Sequence, residues 1–130
     1  MLDVNAQSQF AQADMLRFAF SDLVAGEGVV AKTIPAGYVI VGGFVVVSQA
    51  FNAGTSATLD IGDVADPDRY TGTAVDLAAT GSTAIDVTGF QTEEPTDLLF
   101  TYAEAGAAAT EGEGFVTLMF VREGKADCVL

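Results

Sequence analysis

The chain contains no histidine and no tryptophan. Without histidine there is no Ser-His-Asp or Cys-His nucleophile system, no histidine-ligated zinc and no imidazole general base. Without tryptophan, the broad aromatic platform that favours a sugar-stacking site is missing. Cysteine occurs once, as Cys128, so no internal disulfide can form. Between Ala126 and Val129–Leu130 it reads as a small apolar residue at the end of a strand, in keeping with synthesis in a reducing cytoplasm. Cations are scarce: five Lys and Arg stand against 18 Asp and Glu, for a formal net charge of −13. A nucleic-acid binder needs a basic stripe to neutralise phosphates, and an anionic bilayer would repel this chain, so neither partner is expected. The longest apolar run, residues 38–47, is ten residues with two glycines inside it. That is about half of what a spanning helix requires. The first residues, MLDVNAQ, have neither a basic nor an apolar region of the kind a signal peptide carries. No GxxxxGK[ST] cradle is present, and Gly112-Glu113-Gly114 is an acidic turn and no nucleotide fingerprint. No cofactor is expected, and the chain is not expected to be an enzyme.

Half of the 130 residues are apolar, and they are segregated from the charges. Residues 39–47 and 115–121 carry no charge, whereas acids gather at 60–68, 93–97 and 104–113. Apolar blocks cut by short acidic, glycine-bearing segments are what strands and their loops look like. In residues 15–20, Leu16, Phe18 and Phe20 alternate with Met15, Arg17 and Ala19, a period of two. Residues 29–34 form a second expected strand, followed by a Pro35-Ala36-Gly37 turn. Residues 38–49 read as a long strand apolar on both faces, hence central and covered on both sides, with Gly42-Gly43 marking a bulge. Short strands are expected at 57–62, 74–78, 83–87 and 97–102, and a last long one at 115–122. Eight or nine strands at this spacing predict an all-β fold, an antiparallel β-sandwich of jelly-roll type. The expected core comprises Phe18, Ile40, Phe44, Val46, Leu59, Leu98, Phe100, Leu118 and Phe120. A chain this long buries roughly two-thirds of its unfolded surface, enough for a core without metal or disulfide support. The expected organisation is a non-globular N-terminal arm over residues 1–13 and one sandwich domain over 14–130.

Two polar groups invite a chemical reading. Glu93 and Glu94 are adjacent in an extended, loop-borne stretch, where neighbouring side chains point apart, so they make a poor acid–base pair. Asp60, Asp63, Asp66 and Asp68 place four carboxylates within nine residues, a candidate calcium loop. Their spacing departs from the D-x-D-x-D-G pattern, and no glutamate closes it. The preferred reading is a solvated turn in which Pro67 sets the bend and Arg69 pairs with Asp66 or Asp68. Within the arm, Leu2, Val4 and Phe10 stand out as apolar anchors among Asp, Asn, Gln and Ser.

Residues 33–84 carry an IPAG turn leading into a valine-rich strand, then AFNAGTSATLDIGD, then DPDRY, then a Gly-Ser-Thr hairpin; FVTLMFVREGKAD follows near the end. In these turn and strand signatures the chain resembles small virion structural proteins of tailed bacteriophages, in particular head decoration (cement) proteins. The resemblance spans about two-thirds of the sequence. It implies a β-sandwich, often a homotrimer, on the outer surface of the capsid, binding the major capsid protein and bridging neighbouring subunits to stabilise the shell. Self-association is also in keeping with more apolar surface than one small core hides. The alternative is a tail or fibre β-sandwich module binding a host receptor or glycan, for which Tyr70 beside the aspartates is the available aromatic. The copy number per virion separates the two.

Overall fold

A computed structural model describes residues 9–123. These form eight strands: β1 (Gln12–Ala19), β2 (Gly28–Ile34), β3 (Tyr38–Gln49), β4 (Ser56–Gly62), β5 (Val75–Asp76), β6 (Gly81–Ala84), β7 (Thr96–Ala105) and β8 (Glu113–Arg122). One 3₁₀ turn, Phe20–Asp22, follows β1. The strands make two antiparallel four-stranded sheets, in the orders β1-β8-β3-β6 and β2-β7-β4-β5. The protein is therefore an all-β sandwich. Its pairings are nested: β1 with β8, β2 with β7, β3 with β6 and β4 with β5. The chain behaves as one long hairpin with its tip at β4–β5, folded over so that alternate pairs fall in opposite sheets.

The inner faces supply one continuous core. Phe18, Ile40, Leu59, Leu98, Phe100, Leu118 and Phe120 are all buried in it, as their alternation requires. Phe18 lies edge-on to Phe100 with ring centroids 6.2 Å apart, tying the two sheets together. On the side where β1 and β2 are both edge strands, Lys32 pairs with Asp14 and lies over the Phe120 ring at 4.8 Å. A charged clasp thus covers one open side of the sandwich.

Two expected core residues are not in it. Phe44 is 51% exposed, and Val46 is half-buried with its side chain on the outer face. The cause is a bulge in β3. Ile40 pairs with Phe120 but Gly42 pairs with Met119, so Val41 is the extra residue. A single inserted residue exchanges the inward and outward sets of every residue beyond it. Val45 and Val47 become the buried pair in place of Phe44 and Val46. The bulge depends on Gly43, whose φ is +154° and whose missing Cβ would lie 2.1 Å from the Thr117 carbonyl oxygen. The Phe44 N–H donates to the Thr117 hydroxyl at 3.2 Å, which supports the irregular step. Strand β3 is indeed interior to its sheet, but it is covered on one side only. Gly37, at φ +86°, ends the expected Pro35-Ala36-Gly37 turn and donates its N–H to the Thr92 carbonyl at 2.7 Å. The strand expected at 74–78 is only Val75–Asp76, and β6 begins earlier than expected, at Gly81.

Candidate functional site

The aspartates of the 60–68 segment take different partners and do not gather around one point. Asp60 accepts a hydrogen bond from the Thr71 hydroxyl at 2.9 Å. Asp63 turns inward and is buried, receiving Arg69 through Nε at 2.7 Å and Nη2 at 3.2 Å. It also accepts the Asp66 N–H at 2.9 Å, while the Asp63 N–H donates to the Asp66 carbonyl at 3.0 Å. The partner of Arg69 is thus Asp63, and not Asp66 or Asp68 as the turn chemistry suggests. Burial alone would raise the Asp63 pKa, but the Arg69 hydrogen bond and charge and the N–H groups of Asp66 and Ala65 outweigh it and hold the carboxyl below its ordinary value. Asp66 is held above its ordinary value, chiefly by a hydrogen bond with Asp68 and then by burial and the Asp68 charge. Among the described residues no three Asp, Glu, His or Cys side chains are grouped to hold a metal ion. Chelation with EDTA is expected to leave the melting temperature unchanged within error; a fall of several degrees would place an ion in this loop.

Arg69 also lies over the Phe90 ring at 3.7 Å. It links the 63–71 loop to the segment before β7, and an open cleft of about 740 Å³ lies between the two. Glu93 and Glu94 line this cleft as exposed, neighbouring side chains with no nucleophile or base between them. The buried side-chain polar atom without a partner, among the described residues, is the Tyr102 hydroxyl, and burial raises its pKa first, with Glu104 adding to it. Nothing in this arrangement forms a nucleophile, a positioned base and an oxyanion site together. Tyr70, the aromatic expected to serve a ligand, is 2% exposed and belongs to the core.

Of the expected arm, Leu2 and Val4 lie outside the described residues, as do Cys128 and Leu130. Phe10 is described and is 71% exposed. Residues 12 and 13 belong to β1. The sequence reading passed over Gln9, whose side-chain amide imitates a further strand residue. It donates through Nε2 to the Arg122 carbonyl and accepts the Arg122 N–H at Oε1, both at 2.8 Å. A glutamine in a glutamine-rich stretch gives no signal of such a contact, because its partner is 113 residues away.

The outer face of the β1-β8-β3-β6 sheet is the other distinctive surface. One cross-strand row joins Met15, Thr117, Phe44 and Ala84; the rows on either side join Ala13, Met119 and Gly42, and Arg17, Phe115, Val46 and Ser82. Met15 is 54% and Met119 45% exposed, beside the exposed Phe44 and Val41. These three rows contain no carboxylate and a single cation, Arg17. The next pair along, Ala19 with Glu113, brings back the acids. An antiparallel sheet facing water on one side normally alternates apolar-in and polar-out; here the outer rows are mostly apolar, with Arg17, Thr117 and Ser82 as their polar members.

The class of the molecule is set by its fold, an eight-stranded all-β sandwich with a largely apolar outer sheet face. No protein-family model matches the chain, and no curated protein does. Its fold is shared with chains of solved phage capsids. The acidic stable capsid structure of Helicobacter pylori bacteriophage KHP30 contains a chain that superposes with a TM-score of 0.67 at 11% identity, over 87% of this chain and 88% of that one. The capsid asymmetric unit of cyanophage Pam1 gives 0.60 at 17% identity over 92% and 91%. The capsid of Ralstonia phage GP4 gives 0.60 at 19% identity over 96% and 92%. The likeness runs nearly end to end in all three, so the chain resembles phage virion structural proteins in its whole fold and not in a fragment of it.

Proposed function

We propose that this chain is a capsid decoration protein of a tailed phage. In this role it is not an enzyme: it sits on the outer surface of the shell as a homotrimer and bridges neighbouring copies of the major capsid protein. The observation that carries the proposal is the near full-length fold likeness to chains from three phage capsid structures. The nested strand pairing supports the jelly-roll reading of the sandwich. The role needs a rigid body with apolar contact surface and no cofactor, and its binding partner is protein, not nucleic acid or membrane. The net charge of −13 supports that exclusion. Burial of Tyr70 removes the aromatic on which the tail or fibre alternative rested.

The arm supplies a direct test. Residues 1–11 precede β1 and offer Leu2, Val4 and Phe10 as anchors to a neighbouring subunit. Purified protein added to particles that lack it is expected to bind in proportion to the major capsid protein and to raise the temperature at which the shell breaks open. Deleting residues 2–11 is expected to cost the isolated domain about 1–3 kcal/mol, including the two Gln9–Arg122 hydrogen bonds, and to leave it folded. The same deletion should strongly reduce retention on particles, and Phe10→Ala should reproduce part of that loss. Binding at only a few copies per particle would favour the tail reading. Normal retention of the truncated chain would put the contact elsewhere.

A further inference from the structure

We infer that the outer face of the β1-β8-β3-β6 sheet is the surface through which copies of this chain meet one another in solution. The inference rests on the proposed self-association and names its contact. Charge is the first argument. Each copy carries a net −13, so approach through most of its surface sets carboxylate against carboxylate. The three rows around Phe44 carry no carboxylate, and Thr117, the hydroxyl in the middle row, is already engaged by the Phe44 N–H. A basic partner would find its complement in the acidic loops and not here. With Arg17 as its single charge, this face complements another apolar face free of carboxylates, and a second copy provides one.

Size is the second argument. The three rows cover about 20 Å along the strands at the usual rise, and four strands side by side span roughly 19 Å. The footprint is roughly 400 Å², about half of the ~800 Å² that each partner buries in a stable interface. An apolar patch of this size is about the largest a monomer carries and is often functional. The third argument is the division of the face. Flexible thioethers, Met15 and Met119, lie on the β1–β8 half, while Phe44 and Val41 lie on β3. Sulfur against an aromatic ring is a favourable contact. A heterologous contact of the methionine half of one copy with the Phe44 half of the next makes a closed ring of three where successive copies are related by a 120° rotation.

The test is sedimentation of the full chain. Wild type is expected to be a trimer at micromolar concentration. Met119→Glu places a carboxylate on the face at a side chain that points away from the core, so the far-UV spectrum should persist while the assembly dissociates. The dissociation constant should rise about 100-fold or more, as an unpaired buried charge requires. Phe44→Gln on the other half should weaken assembly in the same direction, and serves if Met119→Glu does not fold. Val64→Glu, at an 83% exposed position in the 63–71 loop, should sediment as wild type. A monomeric wild type, or a folded Met119→Glu or Phe44→Gln that assembles like wild type, overturns the inference. Particle binding keeps the decoration reading separate. If wild type is monomeric yet binds shells and Met119→Glu does not bind, the face contacts the shell: the inference fails and the decoration reading stands. If Met119→Glu dissociates a trimer that never binds shells, the inference stands and the decoration reading fails.

Discussion

Replacing Gly43 by alanine is expected to cost about 4 kcal/mol or more, a large share of the roughly 5–15 kcal/mol of an ordinary domain. An alanine Cβ there would lie 2.1 Å from the Thr117 carbonyl oxygen and 3.2 Å from its carbon, both backbone atoms. Strand β8 has no side chain at that point that could swing aside. Relief requires β3 and β8 to move apart, and they are the two interior strands of their sheet. A φ of +154° adds a conformational penalty of roughly 1–3 kcal/mol for any residue with a Cβ. Gly42 is the control. Its added Cβ meets nothing closer than the Met119 methyl at 4.0 Å, on the outer face. Gly42→Ala should therefore change stability by less than about 1 kcal/mol. Urea denaturation of the two variants side by side reads the difference. If both are near wild type, the strand does not depend on the bulge, and the outward placement of Phe44 loses its explanation.

The same two glycines show how much of the fold was legible in the sequence. Gly42-Gly43 inside a valine-rich run signals a bulge, and the bulge is there. What a linear pattern does not carry is its consequence for residues beyond it. With every position from 44 to 47 apolar, either register satisfies the alternation. The choice is made by the partner strand, where Leu118 and Phe120 claim the interior and leave Met119 outside. Phe18 was legible because Arg17 and Ala19 flank it, and Leu98 and Phe100 because the polar Asp97 and Thr101 hold the opposite phase. The outer sheet face was hidden for the converse reason: a strand apolar on both sides reads as one buried on both sides. The Asp63–Arg69 pair was hidden because turn chemistry weighs only near neighbours, whereas Asp63 is drawn inward beneath the loop that Arg69 closes.

That pair sets the second large expected effect. Asp63→Ala should destabilise the domain by about 3 kcal/mol at pH 7, because it leaves the half-buried Arg69 and the Asp66 N–H without their acceptor. Asp63→Asn keeps an acceptor for the Asp66 N–H but loses the charge that Arg69 faces, so its cost should be smaller, about 1–2 kcal/mol. The pH dependence follows from the direction of the Asp63 shift. Its carboxyl is held below its ordinary value in the folded protein, so the unfolded chain takes up the proton first as the solution is acidified. The stabilisation is complete above the ordinary carboxylate range, near pH 4, and is lost progressively as pH falls through the lower folded value. Acidification also relieves repulsion in a chain of net charge −13, so the wild-type profile alone mixes two opposite trends. The gap between wild type and Asp63→Asn isolates the pair. It should be widest at pH 6–7 and should narrow below about pH 4. Denaturant titrations of both proteins at pH 7 and pH 3 measure it, and a gap that stays constant or widens in acid would show that Asp63 acts through its shape and not through its charge.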